Sequence, residues 1–348
     1  MHNIITFIAL IFCLWIGRSI FIPLAVAVFI WYLLNAITSY YRRIMPCYKS
    51  DNKSCAQSNK IYDWISGILS FTTVGGFLYL FATQIKPMLI EFYHSTPILQ
   101  NKLLAFSDFL FDKIGVSIDI NMIPNLPKIA GYIGSSLAGI ATSTGMVLIF
   151  LIFLFIEQNS FNKKLNAISL PKIKTKKLHY ILSSIDENMK KYLFTKTFIS
   201  AATGIFAYIA LKLIGLEYSG VWAFILFLLN YIPTIGSIVA CGLPILYALI
   251  TGDTWHLPIL TAVSLISIEI IFGNILDPKL TGKTLNLSTL AILINLVLWG
   301  MLWGPAGMFF SVPILVAIYI TAAQFESTRW IAVLLSADGE IPEETKND

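Results

Sequence analysis

The sequence has little charge. Only 12% of its 348 residues are Asp, Glu, Lys or Arg, against roughly a quarter in soluble domains. A soluble fold of this length must cover its surface with polar groups, and 24 basic plus 19 acidic residues are too few to do so. Hydrophobic residues make up 57% of the chain, with a mean hydropathy of +0.76. The missing charged surface is therefore expected to face a lipid bilayer.

Cysteine and histidine are also scarce, with four of each. The four cysteines form no disulfide framework, and the four histidines lie apart from cysteine and carboxylate neighbours, so no metal site is predicted. The chain contains no G-x-S-x-G, H-E-x-x-H or G-x-x-x-x-G-K-[ST] sequence. We therefore expect neither an enzyme nor an ATP-driven pump, and no cofactor.

The net charge of +5 does not indicate a nucleic-acid partner, because the lysines cluster between apolar runs. The loop 42–63 carries five basic and two acidic residues, and the segment 160–196 carries nine lysines with two acidic residues. Positive charge marks cytoplasmic loops. The sequence therefore predicts a membrane protein with cytoplasmic N- and C-termini.

Long stretches without a charged residue define the predicted spans. About 20 helical residues cross a hydrocarbon core of roughly 30 Å. The long uncharged runs are 19–41, 64–85, 129–156, 218–252 and 284–325, and the shorter ones are 2–17, 197–211 and 254–268. Continuous runs favour helices over barrel strands. The predicted fold is an all-α polytopic protein of about eight transmembrane helices, with residues 4–41 forming two spans that turn near Arg18.

The distribution of charge and apolar residues predicts six segments. They are N-terminal transmembrane helices (1–86), an extramembrane helical insert (87–130), a transmembrane helix (131–157), a basic amphipathic cytoplasmic segment (158–196), a C-terminal transport core (197–325) and an acidic cytoplasmic tail (326–348). In the basic segment an apolar stripe recurs at helical spacing from Leu178 to Leu193. We expect this helix to lie on anionic lipid headgroups, and the tail to be solvated.

The C-terminal third contains a break inside an apolar run, formed by Asn230, Pro233, Thr234 and Gly236. Proline and glycine free backbone groups at membrane depth, which are tolerated only where protein or water satisfies them. Two half-helices that meet at a polar break form binding sites in transporters. In that case residues 289–323 form a hairpin that turns near 299–305. The alternative is a proline kink in one continuous span.

Glu269 is the most informative ionisable residue, because it lies between apolar residues on both sides. A carboxylate at the bilayer centre costs about 2.5–3.5 kcal/mol on insertion scales, so it usually faces a cavity, pairs or takes a proton. The alternative places it at a membrane interface. A compact polar loop is predicted just after it, and its candidate pathway residues are Asn274, Asp277, Pro278, Lys279 and Gly282.

These segments together carry a family resemblance. The residues concerned are Phe227-Leu-Leu-Asn230-Tyr-Ile-Pro233-Thr-Ile-Gly236, then Asn274-Ile-Leu-Asp277-Pro278-Lys279-Leu-Thr-Gly282-Lys283, then Trp303-Gly304-Pro305-Ala-Gly307 and Val312-Pro313. In order and spacing they resemble the signatures of the autoinducer-2 exporter family. The resemblance implies a polytopic inner-membrane protein similar to exporters of a small furanone-type quorum-sensing signal, and a homo-oligomer such as a pentamer. It also implies that Trp303, Gly304, Pro305, Gly307 and Pro313 are structural residues.

Members of that family also resemble sodium or lithium/proton antiporters, so the substrate does not follow from the resemblance. Two positions depart from its pattern: Thr289 stands where proline is usual, and Asp277 where glutamate is common. The predicted function is export of a small polar solute. The alternatives are exchange of a monovalent cation for protons and a membrane scaffold that transports nothing.

Overall fold

The computed structural model describes residues 2–44, 53–114, 144–158, 160–161, 163–164, 167, 172–252, 254–281 and 286–341. Nearly all of them are helical, and the β structure among them is one bridge between Leu287 and Ser336. The helices are α1 (His2–Ile16), α2 (Arg18–Ile44), α3 (Lys53–Ile114), α4 (Thr144–Gln158), α5 (Lys172–Ile214), α6 (Ser219–Leu229), α7 (Ile235–Thr251), α8 (His256–Glu269), α9 (Asp277–Thr281), α10 (Thr289–Trp303), α11 (Pro305–Ala323) and α12 (Arg329–Leu335). The all-α prediction is confirmed.

Four helical segments of the described residues are long and apolar enough to cross a membrane: Arg18–Ile44, Lys177–Ile214, His256–Leu276 and Pro305–Ala323. Four shorter apolar helices accompany them: Thr144–Gln158, Ser219–Leu229, Ile235–Thr251 and Thr289–Trp303. The protein is therefore a polytopic membrane protein. The turn predicted near Arg18 is wrong: α1 and α2 are separated only by Gly17, whose N–H donates to Cys13 O at 2.8 Å and whose carbonyl oxygen accepts from Phe21 N at 2.9 Å, so helical hydrogen bonds continue across it.

Two helices run across segment boundaries that the sequence suggested. Helix α3 is 62 residues long and passes residue 86 without a break, although it contains Pro87 and Pro97. Helix α5 is 43 residues long and joins the basic amphipathic segment directly to the next apolar run. The insert residues up to 114 therefore continue α3, and the basic residues from 172 extend the helix that contains the apolar segment Lys177–Ile214. Residues 115–143 lie outside the described part of the chain.

The chain forms two compact units. The first contains the described residues of 1–75, 144–197 and 278–348, and the second contains those of 76–143 and 198–277. Each unit has its own buried core. The core of the first unit includes the apolar stripe of α5, where Met189, Tyr192 and Leu193 are at most 8% exposed and pack with Val316 and Ile320 of α11.

That packing corrects one prediction. The stripe of α5 was expected to lie on lipid headgroups, but its central residues are buried against α11 and α12. The spacing of apolar residues shows that α5 has an apolar face, but it does not show what covers that face. In the structure, α11 of the same chain covers it. On α5, Lys190 pairs with Asp186 one turn away at 2.6 Å, in an exposed position.

In the first unit, α10 and α11 form the hairpin expected for 289–323. The turn lies at Gly304, whose φ of 64° and ψ of −143° suit glycine, and Pro305 occupies the first turn of α11. A Cβ at Gly307 would overlap the carbonyl oxygen of Trp299, so glycine is required where the two helices approach. Thr289 begins α10 without a proline.

Buried polar contacts stabilise this hairpin. The Asn295 amide is 8% exposed and donates to the Ser311 carbonyl oxygen at 2.7 Å. The Trp303 indole N–H donates to the Leu14 carbonyl oxygen at 3.0 Å, and its ring contacts that of Trp299 with centroids 4.7 Å apart. Pro313 lies half-buried inside α11. Trp303, Gly304, Pro305 and Gly307 therefore form one packed turn.

The C-terminal segment folds back on the start of α10, while its acidic residues Asp338 and Glu340 are exposed. Backbone bonds join Ser288 N to Leu335 O at 2.8 Å and Ala337 N to Asn286 O at 3.0 Å. The Asn286 amide donates to Asp338 Oδ1 at 2.7 Å and to the Glu340 carbonyl at 3.0 Å. Ahead of these acidic residues, α12 places Ala332 in the core.

Replacing Asn286 with alanine is expected to release this segment. Alanine loses both amide hydrogen bonds and disfavours the φ of 38° found at Asn286, so we expect a loss of about 1–2 kcal/mol. Limited proteolysis of the purified protein at Arg329 measures the release. Asn286→Gly is the control, because it keeps the backbone freedom and removes only the hydrogen bonds. Equal protection of wild type and Asn286→Ala contradicts the assignment.

The second unit is built around α5, α6, α7 and α8. Its core contains Leu211, Leu226, Ala248 and Leu265, each at most 1% exposed. The break at Asn230–Gly236 lies between α6 and α7, and Glu269 ends α8. These three helices share one core. The break and Glu269 therefore lie in the same unit.

Candidate functional site

Helices α6 and α7 form an antiparallel hairpin. The Tyr247 hydroxyl, near the end of α7, donates to Glu217 Oε2 at 2.8 Å just before α6 begins. The Trp222 and Tyr247 rings lie 5.3 Å apart. Helix α6 has 11 residues, a length of about 16 Å, or half of a hydrocarbon core. The alternative of a proline kink in one span is wrong, and the chain turns back at the break.

The turn of the hairpin is compact. Thr234 has a φ of 58° and a ψ of −60°, an uncommon conformation for a residue other than glycine. A Cβ at Gly236 would overlap the Leu229 carbonyl oxygen and lie 3.0 Å from Ile232 Cβ. Glycine is therefore required where α7 leaves the turn. Thr234 is exposed and Pro233 is half-buried.

Most amides of this turn bond within the hairpin. The N–H groups of Asn230, Ile232 and Gly236 donate to Leu226 O at 3.0 Å, Leu229 O at 2.8 Å and Ile232 O at 3.2 Å respectively. Pro233 has no N–H group. The sequence suggested that backbone groups freed here bind a solute, but these three amides already have partners. Side chains are therefore the more prominent polar groups at the turn.

Asn230 is the first of these side chains. It is 3% exposed and its amide donates to Thr203 Oγ1 of α5 at 3.1 Å. The Thr203 hydroxyl, itself fully buried, donates to the Ile199 carbonyl at 2.9 Å. Gly204 allows this close packing, since a Cβ there would lie 3.2 Å from Phe227 Cβ. The turn is thus tied to α5 by a buried, uncharged contact.

Glu269 is the second. It ends α8, is partly exposed, and accepts a hydrogen bond on Oε1 from the Ser237 hydroxyl in the first turn of α7. A Cβ at Gly273 would overlap the same carboxylate oxygen, so the carboxylate lies over the backbone of Gly273. The antiparallel pairing of α7 and α8 also brings Cys241 Sγ to 4.0 Å from the Leu265 carbonyl. A carboxylate and a hydroxyl therefore lie together directly after the break.

The segment after Glu269 is helical, which corrects the predicted loop over 274–281. Residues Ile270–Leu276 form a π-helix and Asp277–Thr281 continue as α9. Pro278 is the second residue of α9, directly after the π-helical turns, where the Asp277 N–H donates to the Phe272 carbonyl oxygen. Short π-helical segments are frequent at functional sites. Gly282 lies outside the described residues.

Three of the remaining predicted residues follow Glu269 along the chain. Asn274 and Lys279 are exposed, and Asp277 is half-buried at the start of α9. Sequence reasoning missed Thr203 and Ser237, which contact Asn230 and Glu269 directly. These contacts were hard to predict from the sequence, because each residue is only a hydroxyl residue within an apolar run. Among the described residues, no group of three His, Cys, Asp or Glu side chains could hold a metal ion.

The chain is similar in sequence to a family of known transport proteins. Residues 4–327 match the profile of the AI-2E family transporter. The chain is 39% identical over 150 residues to the AI-2 transport protein TqsA of Escherichia coli K12, covering 43% of each chain. It is 30% identical over 202 residues to the putative transport protein YhhT of the same strain, covering 58% of this chain and 56% of that relative.

A further relative is a sodium-lithium/proton antiporter of Halobacillus andaensis, 28% identical over 174 residues, covering 47% of this chain and 49% of the relative. The chain thus spans about half the length of these curated relatives.

Proposed function

The chain belongs to the AI-2E family of transporters, and from this premise we propose that it exports a small polar solute through the region around the α6–α7 turn. The relative TqsA is an AI-2 transport protein, so autoinducer-2 is the first solute to test. The observation that supports this site is the buried contact between Asn230 and Thr203 at the turn of a half-length hairpin. Export would be passive or driven by a gradient, since the sequence contains no ATP-binding motif.

A second candidate function has its own supporting observation. The Glu269 carboxylate accepts the Ser237 hydroxyl within the same unit, and one relative is a sodium-lithium/proton antiporter. A carboxylate and a hydroxyl are oxygen ligands that suit a hard cation or a proton. In this version Glu269 alternates between a monovalent cation and a proton, and Asp277 lies one helical segment further on.

The proposed setting is the bacterial inner membrane, with both termini in the cytoplasm. The lysine-rich segments support this orientation through the positive-inside rule. We propose a homo-oligomer, a pentamer by resemblance to the family, and no enzymatic activity. Crosslinking in membranes followed by denaturing electrophoresis tests the subunit number, and a monomer band at every crosslinker concentration contradicts it.

Flux assays in proteoliposomes separate the candidates. Efflux of labelled autoinducer-2 that is indifferent to sodium supports the exporter. Proton release that requires sodium or lithium supports the antiporter. Protein-free liposomes are the control. If the reconstituted protein moves neither solute nor ions at any pH from 6 to 9, both transport proposals are wrong and the scaffold alternative is left.

A further inference from the structure

A buried hydroxyl without a hydrogen bond lies in the second unit, on α5. Ser200 is 0% exposed, and its Oγ has no hydrogen-bond partner among the described residues. A buried unsatisfied hydroxyl costs about 1–3 kcal/mol. A helical serine can avoid this cost by bonding to the carbonyl four residues earlier. An unsatisfied group that persists in a packed core needs an explanation, and a missing ligand is one.

The position of Ser200 follows from the packing of α5 on α6. Gly204 lies one turn after Ser200 on the same face of α5, and its Cβ position is 3.3 Å from the Ala223 carbonyl and 3.2 Å from Phe227 Cβ. The two helices are antiparallel, so one turn back along α5 corresponds to one turn beyond Phe227 on α6. That level is the turn at Asn230, as the bond from Asn230 to Thr203 shows.

Thr203 and Asn230 are in contact, Ser200 lies one turn before Thr203 along α5, and we name these three residues the amide–hydroxyl cluster. All three side chains are uncharged and at most 3% exposed. An amide and hydroxyls both donate and accept hydrogen bonds, as the hydroxyl groups of a solute do. These side chains offer no countercharge, and burying an unpaired ionic ligand against them would cost several kcal/mol. Their chemistry fits hydroxyl groups better than ions.

We propose that the amide–hydroxyl cluster binds the hydroxyl groups of a small uncharged solute, with Ser200 as a binding residue. This inference rests on the proposed function and specifies its substrate class. It also assigns separate roles within the unit. The cluster at α5 and the end of α6 binds the solute, whereas Glu269 of α8 and Ser237 of α7 bind the proton or cation. Closed packing in the present structure means that the turn must open for a solute to enter.

A purely structural Ser200 behaves differently from a binding one. Removing a buried hydroxyl that has no partner is neutral or stabilising, so Ser200→Ala is expected to fold at least as well as wild type. Thr261→Val is the matched control. Thr261 lies on α8 in the same unit, is 0% exposed, and its hydroxyl also has no partner among the described residues. The control removes a similar hydroxyl away from the cluster.

The experiment measures the thermal midpoint of the purified full chain in detergent against increasing D-ribose, 2-deoxy-D-ribose and D-ribonate. Ligands that bind the folded state raise the midpoint with concentration. We expect ribose to raise it, deoxyribose to act more weakly and ribonate to have the least effect. Ser200→Ala should weaken the apparent ribose affinity about five- to tenfold, the value of one hydrogen bond. Thr261→Val should keep the wild-type affinity.

The proposal is overturned if no probe raises the midpoint, if Ser200→Ala retains wild-type affinity, or if ribonate binds more strongly than ribose. Flux assays keep the two proposals distinguishable. Intact solute or ion flux without a Ser200-dependent shift shows that this inference alone is wrong. A Ser200-dependent shift in a protein that moves neither solutes nor ions supports the binding site and contradicts the proposed transport.

Discussion

Replacing Gly236 with alanine is expected to abolish both the folded hairpin and transport. The added Cβ would overlap the Leu229 carbonyl oxygen and press on Ile232 Cβ at 3.0 Å. Backbone atoms cannot rotate away as a side chain can, so α6 and α7 would have to separate. Overpacking costs about 1–3 kcal/mol and occasionally more, a large part of the stability of a typical fold. We expect a lower thermal midpoint and flux below a tenth of wild type.

Gly242→Ala is the control for this prediction, because it makes the same change six residues later in α7. No atom lies within 4 Å of its Cβ position. Alanine there should leave transport intact and, by helix propensity, change stability by at most about 1 kcal/mol in the favourable direction. Equal thermal midpoints and equal flux of the two variants would show that the close approach at Gly236 does not contribute to stability or transport.

Neutralising Glu269 is expected to have the second largest effect. Glu269→Gln keeps the shape of the side chain and an oxygen that can accept the Ser237 hydroxyl, but it removes the negative charge. A hydrogen bond to a charged group contributes about 1–1.5 kcal/mol more than one to a neutral group, so we expect flux to fall about five- to tenfold. Sodium-dependent proton release should be lost entirely, since glutamine cannot bind a proton at this position. Initial rates in proteoliposomes measure both.

Glu217→Gln is the matched control. Glu217 lies in the same unit and also accepts a hydroxyl, that of Tyr247 at 2.8 Å, but it is exposed at the base of the hairpin. We expect its flux to stay within twofold of wild type. Full transport by Glu269→Gln would remove Glu269 from the pathway, and equal losses in both variants would indicate a general effect of charge.

The hairpins of the fold were predictable because their sequence signals are local. Pro233 with Gly236 and Pro305 with Gly307 each interrupt an apolar run, and the structure turns at both places. In each case the glycine lies against a carbonyl on the opposite helix. Proline and glycine change the backbone itself, so their effect appears without knowledge of tertiary contacts.

The segment after Glu269 was harder to predict. Its polar residues and Pro278 are typical of a loop, but a proline in the first turn of a helix is compatible with both structures. The apolar stripe of α5 presents the same difficulty: its period shows a face, and only the three-dimensional packing shows that α11 covers it. Local pattern therefore predicted where faces and breaks occur, but not which surfaces they meet.

The candidate site was predictable only in part for a similar reason. Asn230 and Glu269 were conspicuous as polar residues in apolar runs. Thr203 and Ser237 are small hydroxyl residues of a kind that also lies elsewhere in such helices, and only the antiparallel packing selects them. Their roles in transport stay predictions until the variants above are measured.

The return of α7 beside α6 also means that this apolar stretch does not change the side of the membrane on which the chain continues. Glu217 before the hairpin and Thr254 after it are both exposed, and 33 residues from Ser219 to Thr251 separate their loops without a crossing. Cysteines introduced at these two positions should thus react with a membrane-impermeant thiol reagent from the same compartment. In topology maps, an apolar run of this length would be counted as a span and every later loop assigned to the opposite compartment.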